Sequence, residues 1–301
     1  MPFSQGVFSL NSLSREIGNW PWWRNWQTRQ LEVLVGAIPW RFESSPGHLV
    51  WFVCLYMERD MSDTVTHETS VTDVCESSLR INETFFSIQG ESTFAGRPCF
   101  FIRLTGCPLR CAWCDTSYAF REGAPRLVSS LVKEAVASRC DLVEVTGGEP
   151  LAQAACVDLV RGLCDAGLTT LIETSGALDI SPLDARCIRI MDLKCPASGE
   201  CGRNLWSNID HLKPHDEIKF VIADRGDYEW AKDVLSKHAL GAKVNCVLMS
   251  AAWAQAKNTD IAGCAGLDPK SLAEWILADA LPVRMQTQLH KLIWHPTTRG
   301  V

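Results

Sequence analysis

The 301-residue sequence contains no apolar run of the length that a membrane-spanning helix requires. The longest candidate, LVWFVCLYM from Leu49, is about half of the roughly 20 residues needed. The N-terminus has no basic segment that leads directly into an apolar one, as a secretory signal does. Lysine and arginine are scattered and the net charge is −6, so no basic patch indicates nucleic-acid binding. We therefore expect a cytoplasmic protein that contacts neither a membrane nor nucleic acid directly.

Cysteine, in contrast, is abundant, with 14 residues. In a chain of this length without a signal peptide, we expect reduced thiols or metal ligands rather than disulfides. Three cysteines fall within eight residues, in TGCPLRCAWCDT, at Cys107, Cys111 and Cys114. Most of the others stand singly in apolar segments, where a small buried hydrophobic residue is the ordinary role: Cys99, Cys140, Cys156, Cys164, Cys187 and Cys246.

Residues 1–60 differ in composition from the rest of the chain. Six of the 12 tryptophans lie there, and neither a helical nor a strand period organises them. The stretch 20–48 can be back-translated as a leucine-type transfer RNA gene with a matching acceptor stem and T loop. We expect residues 1–60 to be a non-native or disordered extension from a misassigned start, with Met61 or Met57 as the native start and 61–80 as a flexible lead-in. The alternative is a genuine tryptophan-rich arm that packs on the main domain.

From residue 81 onward, short β-rich runs alternate with amphipathic segments. Continuous apolar runs predict strands buried on both faces, and the segments between them predict right-handed helical crossovers. Six such units are fewer than the eight of a closed barrel, so we predict an α/β fold with a partial (β/α)6 barrel over 81–301, preceded by an irregular N-terminal extension. The predicted strands are 99–106, 142–148, 169–176, 187–194, 217–223 and 243–249, and the predicted helices lie near 127–139, 153–166, 227–239 and 270–280.

Three thiols on one short loop favour an iron–sulfur cluster over zinc. A structural zinc site takes four ligands, usually in two pairs, whereas Cys195 and Cys201 have a different spacing and lie beyond another strand. Core packing does not explain the interleaved Arg110, Asp115 and Thr116. Three thiolates suit a [4Fe-4S] cluster that leaves one iron open for a further ligand.

The same residues resemble a known superfamily. The C-x3-C-x2-C spacing after the first strand is the signature of radical S-adenosylmethionine (SAM) proteins, and TGGEP at 146–150 resembles their segment that binds the methionyl amine. Its glycines let the main chain approach a ligand closely. The stretch INETFFSIQGESTFAGRPCFFIRLTGCPLRCAWCDT, with ETSGALD, MDLKCPASGE and DEIKFVIADRGDYEWA, is similar to the 7-carboxy-7-deazaguanine synthase family. The similarity runs from Ile81 to RMQTQLHKLIW near the C-terminus.

The resemblance implies a carbon–nitrogen lyase of queuosine biosynthesis. The three cysteines would ligate the cluster, and its open iron would bind SAM, which is cleaved to a 5′-deoxyadenosyl radical. The radical would abstract hydrogen from C6 of 6-carboxy-5,6,7,8-tetrahydropterin, and ring contraction with loss of ammonia would give 7-carboxy-7-deazaguanine. No side chain is implied to be catalytic, because the cofactor carries the chemistry and the protein orients and shields it.

The resemblance also implies roles for individual residues. Thr116 would bind Mg²⁺, with substrate oxygens and water completing the octahedron, and the alternative is a hydroxyl that caps the loop. The implied substrate contacts are Ile88, Gln89, Gly90, Arg103 and Thr146, and the implied cofactor contacts are Gly148, Ser175, Asp192, Leu193, Lys194 and Ser250. Two segments depart from the family pattern: LMSAAW replaces the Ser-Pro expected around Ser250, and the tail HPTTRGV has no match to the family's C-terminal substrate contact.

Simpler alternatives exist for several of these residues. The segment 88–91 would be an ordinary turn, and Arg103 would be an outward-facing strand residue. Glu149 and Glu173 would orient backbone donors rather than react. The QLHK segment, 288–291, would close the pocket, or its histidine would be structural.

Two other functions remain open from the sequence. One is an activase that places a glycyl radical on a partner enzyme, and the other is a non-catalytic iron–sulfur protein. For the lyase we expect a small-molecule pterin substrate, an electron donor such as a flavodoxin, and a homodimer.

Overall fold

Within residues 76–301, a nine-stranded, mostly parallel sheet forms the centre of the fold. The computed structural model describes residues 76–301, so the predicted extension at 1–60 and most of the lead-in at 61–80 lie outside the described residues. The strands are β1 (Ser78–Ile88), β2 (Pro98–Leu104), β3 (Ala124–Leu127), β4 (Leu142–Gly147), β5 (Thr169–Thr174), β6 (Ile188–Asp192), β7 (Glu217–Ile222), β8 (Cys246–Ala251) and β9 (Arg284–Gln286). The helices are α1 (Val128–Ala137), α2 (Cys156–Asp165), α3 (Arg225–Lys237), α4 (Pro269–Ala278) and the short α5 (His290–Ile293).

The strand order is β3-β1-β2-β4-β5-β6-β7-β8-β9. Each neighbouring pair from β2 onward is parallel, whereas β1 runs antiparallel to both β2 and β3. Parallel strands in sequence order place all their C-terminal ends along one edge of the sheet, where α/β folds carry their sites. This arrangement confirms the predicted α/β partial-barrel class.

All six predicted strands and all four predicted helices are present, with ends shifted by a few residues. Three strands were not predicted, because β1 mixes exposed and buried residues, β3 is mostly exposed and β9 has only three residues. The crossovers on either side of β6 contain 3-10 turns or irregular chain in place of a full helix, so the (β/α)6 pattern is incomplete there. β1 begins at Ser78, so the last residues of the predicted lead-in belong to the sheet.

Helix starts follow local sequence signals. Asp224 caps α3 by accepting a hydrogen bond of 2.8 Å from the Asp227 amide. Asp268 caps α4 in the same way, and Pro269 occupies the first turn, where its missing N–H costs nothing.

None of the helices in residues 76–301 has the length and apolar character to span a membrane.

The two faces of the sheet differ in chemistry although both are buried. In β7, Ile218, Phe220 and Ile222 belong to the hydrophobic core, whereas Lys219 and Val221 line a cavity on the opposite face. Successive side chains of a strand point to opposite faces of the sheet. Polar residues at every second position of an apolar run therefore all lie on one face. The prediction of strands buried on both faces is therefore right, but the inner face is polar.

A buried ion pair joins β6 to the residue before β7, at the N-terminal ends of the parallel strands. Arg189 and Asp216 are 2% and 0% exposed, with Nη1 3.3 Å from Oδ2. Asp216 also accepts hydrogen bonds from the amides of Arg189 at 2.9 Å and Lys213 at 2.7 Å. Loss of one member would leave the other charge buried without compensation.

We predict that Asp216→Ala lowers the free energy of unfolding by about 3–5 kcal/mol, because Arg189 would keep its charge in the core. Chemical denaturation measures this change. Glu274→Ala is the control, since Glu274 is 63% exposed and pairs with Lys270 on the surface of α4, where the loss should be below about 1 kcal/mol. Equal losses in the two variants would contradict the prediction.

Candidate active site

A cavity of about 440 Å³ opens at the C-terminal ends of the parallel strands. The structure brings almost every residue predicted to act at the site to the wall of this one cavity. The residues that line it include Ile88, Gln89, Gly90, Arg103, Cys107, Cys111, Cys114, Thr116, Thr146, Gly148, Ser175, Asp192, Lys194 and Ser250. Leu193 is the exception, because its side chain is fully buried in the hydrophobic core.

The cysteine loop follows β2 and is held by main-chain contacts with distant segments. The Gly106 amide donates to the Ala119 carbonyl at 2.8 Å, and its carbonyl accepts from the Glu149 amide at 2.8 Å. Further along the loop, the Ala112 amide donates to the Ser198 carbonyl at 3.0 Å. The loop is thus tied both to the end of β4 and to the chain after β6.

The three thiols of the loop line the cavity and are partly or fully buried. Cys111 is buried, and Cys107 and Cys114 are half-buried. Burial raises the pKa of all three thiols, and for Cys114 burial together with Asp115 raises the pKa to about 12. A positively charged metal group would reverse this effect by stabilising the thiolates.

The donor set fits a cluster better than a single ion. Within residues 76–301, no three histidine, cysteine, aspartate or glutamate side chains converge as ligands of one metal ion. A tetrahedral zinc requires such convergence, whereas the ligands of a [4Fe-4S] cluster bind different iron atoms. Three thiols on one loop that line a single cavity suit such a cluster, with one iron left for a further ligand.

Gly148 lets the end of β4 approach the cysteine loop. A Cβ built on Gly148 would lie 2.3 Å from the Gly106 carbonyl oxygen and 2.8 Å from Cys107 Cβ. Both contacts are too short for any larger residue to fit without displacing the loop. The glycine predicted from TGGEP is thus required by the packing of the site, whatever ligand it contacts.

Glu149 fastens the end of β4 to the end of β5. It is fully buried and accepts hydrogen bonds from the Ser175 amide at 2.6 Å, the Ser175 hydroxyl at 2.5 Å and the Thr174 hydroxyl at 3.0 Å. Its Oε1 also accepts from the Leu151 amide at 3.0 Å. Glu149 therefore orients its neighbours, as the simpler alternative expects.

Asp192 and Lys194 form the adjoining part of the wall. Lys194 Nζ lies 2.8 Å from Asp192 Oδ2, while Asp192 Oδ1 is buried and has no hydrogen-bond partner within residues 76–301. Burial lowers the pKa of Lys194, but Asp192 and Cys111 outweigh this effect and raise it above its ordinary value. Because a buried acceptor without a donor is costly, Asp192 Oδ1 fits a ligand that brings a hydroxyl or amine.

Gln89 and Arg103 lie on another part of the wall. Gln89 is 2% exposed, donates through Nε2 to Glu144 and accepts from the Glu91 amide at 3.0 Å through Oε1. Arg103 lines the cavity, with a side chain only 16% exposed and its Nε 2.8 Å from Glu83. The outward-facing alternative for Arg103 is therefore wrong.

Sequence reasoning missed a buried charge network on the inner face. Lys219 Nζ lies 2.8 Å from Glu91 and 3.3 Å from Glu173, so Glu173 does pair with a charge instead of a backbone donor. Burial and the charge of Glu173 raise the pKa of Glu144 well above its usual range. Burial alone would raise the pKa of Glu91, but Lys219 and Gln288 hold it below its ordinary value. The sequence does contain a signal for this network. Glu144 and Lys219 each interrupt an apolar strand at a position whose side chain points to the inner face of the sheet.

The C-terminal segment completes the cavity. Lys291 Nζ lies 2.5 Å from Asp115, which ties α5 to the cysteine loop. Residues 296–301 line the cavity, although the tail had no match in the sequence pattern. Arg299 lies 3.7 Å above the centre of the Tyr118 ring. His290 and Lys291, which the sequence suggests as residues that close the pocket, line the cavity together with Gln288.

We predict that the new methyl group in Gly148→Ala displaces the cysteine loop. The iron content of the anaerobically loaded protein should then fall to a small fraction of that of the unaltered protein. The free energy of unfolding should fall by about 1–3 kcal/mol. Iron analysis and chemical denaturation measure the two effects. Gly202→Ala is the matched control, since a Cβ there meets nothing within 4 Å. Identical iron content and stability in the two variants would show that the loop accommodates the methyl group.

Similarity to known proteins identifies the family of this chain. Residues 101–239 match the model of the radical SAM superfamily. A 7-carboxy-7-deazaguanine synthase of Koribacter versatilis is 45% identical over 226 residues, which cover 74% of this chain and 100% of the relative. One from Chlorobaculum tepidum is 41% identical over 229 residues, covering 75% and 99%. The crystal structure of QueE from Escherichia coli has the same fold, with a TM-score of 0.55, 23% identity and coverage of 70% of this chain and 94% of that one. The chain therefore belongs to the 7-carboxy-7-deazaguanine synthase family of the radical SAM superfamily.

Proposed function

We propose that this protein converts 6-carboxy-5,6,7,8-tetrahydropterin to 7-carboxy-7-deazaguanine with loss of ammonia, as a step of queuosine biosynthesis. The observation that carries the proposal is the cavity, which places the three thiols of the cysteine loop and the Arg103 guanidinium on the walls of one small space. A planar guanidinium suits a carboxylate, and the substrate carries one. A glycyl-radical activase would instead need room for a protein main chain.

Cys107, Cys111 and Cys114 are proposed to hold the [4Fe-4S] cluster. When bound, the reduced cluster and SAM supply the one-electron chemistry that removes a hydrogen atom from C6 of the pterin. The protein's own contribution is to hold both ligands in register and to keep water out. The buried Leu109 and Trp113 within the cysteine loop support this shielding role.

Gly148, Ser175, Asp192, Lys194 and Ser250 are proposed to bind SAM. They lie at the ends of β4, β5, β6 and β8 or just beyond, along the edge of the sheet beside the cysteine loop. The unpartnered Asp192 Oδ1 suits a ligand hydroxyl or amine. Leu193 would take part only through its main chain, because its side chain is in the core. Its amide already donates to the Lys219 carbonyl at 2.9 Å, so the main-chain group proposed to meet a ligand is the Leu193 carbonyl.

Ile88, Gln89, Gly90, Arg103 and Thr146 are proposed to bind the pterin. The contacts of Gln89 with Glu144 and Glu91 fix its amide, so its second N–H and remaining oxygen lone pair point in set directions. Gly90 also has a packing reason to be glycine, because a Cβ there would lie 2.3 Å from His290 Nδ1.

Thr116 is proposed to bind Mg²⁺ together with substrate oxygens and water. Its hydroxyl lines the cavity and donates to Asp115 Oδ1 at 2.8 Å, so a carboxylate stands beside it. Hydroxyl and carboxylate oxygens are the hard ligands that Mg²⁺ prefers.

A one-electron donor such as a flavodoxin is proposed as the reductant that would bring the cluster to its active, reduced state. We also propose a homodimer, the commonest oligomer of soluble proteins. The exposed side chains of Leu292 and Ile293 support this proposal, because a partner subunit would cover their apolar surface.

Free thiols throughout residues 76–301 support a reducing, cytoplasmic setting.

The decisive test is anaerobic reconstitution followed by incubation with SAM, a reductant and the carboxylated pterin. We expect 7-carboxy-7-deazaguanine and 5′-deoxyadenosine, and we expect Cys111→Ala to form neither, because it removes a cluster ligand. Cys201→Ala is the control thiol, since Cys201 does not line the cavity. Cleavage of SAM without a deazaguanine product would reject the substrate and keep the superfamily chemistry.

We predict that Thr116→Val raises the Mg²⁺ concentration needed for half-maximal activity at least about tenfold, since it removes one hard ligand at nearly constant volume. Thr116→Ser keeps the hydroxyl and should behave like the unaltered protein. Mg²⁺ titration of the initial rate measures the effect. A normal titration for the valine variant would support the loop-capping role instead.

A further inference from the structure

Glu83 contacts two residues of the cavity wall without lining the cavity itself. Its Oε1 accepts hydrogen bonds from Arg103 Nε at 2.8 Å and from the Tyr118 hydroxyl at 2.9 Å. The carboxylate is therefore placed to act on a ligand through its neighbours and not by contact.

The orientation of Arg103 is set from two sides. Glu83 and Arg103 are directly opposite each other in the antiparallel β1–β2 pair, so their side chains share one face of the sheet. The guanidinium also lies 5.6 Å from the ring of Phe85, which stacks on Phe101 at 4.8 Å. With Nε bound and one face covered, the plane of the guanidinium has little freedom to turn.

The outer end of the Arg103 fork remains available to a ligand. No residue in the described range 76–301 accepts a hydrogen bond from its two Nη atoms. Because the guanidinium is rigid and planar, anchoring Nε to Glu83 determines where both Nη groups point. Those groups form the edge that can receive a carboxylate with two parallel hydrogen bonds.

Glu83 also connects Arg103 to two other elements of the cavity. Tyr118 follows the cysteine loop by a few residues, and Arg299 of the tail packs over its ring at 3.7 Å. A Cβ on Gly300 would lie 3.9 Å from Glu83 Oε2, so the tail passes directly beside the carboxylate. One carboxylate thus contacts β2 and the segment after the cysteine loop, and it lies beside the C-terminal tail.

We propose that Glu83 is a positioning residue that aims the Arg103 fork at the carboxylate of the substrate and so sets the preference for a carboxylated pterin. This proposal rests on the proposed function, because it takes the carboxylate from that substrate. A purely electrostatic role has the opposite sign, since removing the negative charge of Glu83 would favour an anionic ligand.

Equilibrium binding to cluster-loaded, unreduced protein in the presence of SAM tests the proposal without turnover. The two probes are 6-carboxy-5,6,7,8-tetrahydropterin and tetrahydropterin without the carboxylate. We expect Glu83→Gln to raise the Kd of the carboxylated probe about tenfold, the size of one charge-assisted hydrogen bond. The Kd of the other probe and that of SAM should not change. Glu83→Asp keeps the charge but shortens the reach, and it should weaken the same probe.

A double-mutant cycle separates positioning from general damage. Glu83→Gln should cause no further loss in an Arg103→Gln background, because its effect passes through Arg103. The matched control is Glu134→Gln, since Glu134 bonds to Arg126 and, at 2.8 Å, to Thr84 on β1 but does not line the cavity. It should leave both pterin Kd values unchanged.

The role of Glu83 would be overturned by tighter binding of the carboxylated probe, by an equal loss for both probes, or by full additivity with Arg103→Gln. If the unaltered protein binds neither pterin, the proposed function itself fails. If it discriminates between the probes while both Glu83 variants do so equally well, only the positioning role is rejected.

Discussion

Buried charge on the inner face of the sheet is the constraint on which the cavity depends. Removing an ionised group from water costs several kcal/mol unless a partner of opposite charge and further hydrogen bonds compensate it. Lys219 satisfies this condition between Glu91 and Glu173, and Lys194 satisfies it with Asp192. The Lys219 pairs join segments that are distant in sequence, so compensating this charge also holds the polar side of the sheet together, whereas Lys194 and Asp192 lie two residues apart at the end of β6.

The cavity is assembled from three groups of contacts around this network. The cysteine loop is fixed to the end of β4 through Gly106 and Glu149 and closely packed against Gly148. The wall that carries Arg103 is fixed by Glu83 and Phe85, which contact its guanidinium. The C-terminal segment then covers the opening and is tied down by ion pairs at both of its ends. Lys291 pairs with Asp115, and Arg299 pairs with Glu122 at 2.9 Å.

These contacts restrict the movement of the side chains that line the site. Glu149 has its oxygens occupied by β5 and the following turn, and Gln89 is bound at both ends of its amide. Enzymes that use a reactive radical need a water-excluding site with fixed ligand positions. A cavity held by paired charges and bound amides has that rigidity before any ligand enters.

Much of the fold could be predicted from local signals, because the strands from β2 to β8 have continuous apolar runs and the helices have amphipathic periods. The edge strands could not, since β1 and β3 are half-exposed and gain their stability from pairing with each other and with β2. The tail also escaped prediction, because its position depends on Tyr118 and Glu122, more than 170 residues earlier in the chain. Contacts of this kind leave no local period.

The sequence by itself determined the chemistry of the site: the spacing of Cys107, Cys111 and Cys114, the glycines of TGGEP, and the family to which these motifs belong. Such features are local, because ligands on one loop and glycines at one turn are set by adjacent residues. Three features were decided only by the tertiary structure: the pairing of the buried charges, the burial of the Leu193 side chain in the core, and the hydrogen bond from Arg103 to Glu83. Those relations depend on strand register and on the alternation of side chains across a sheet, which arise only when distant strands pair.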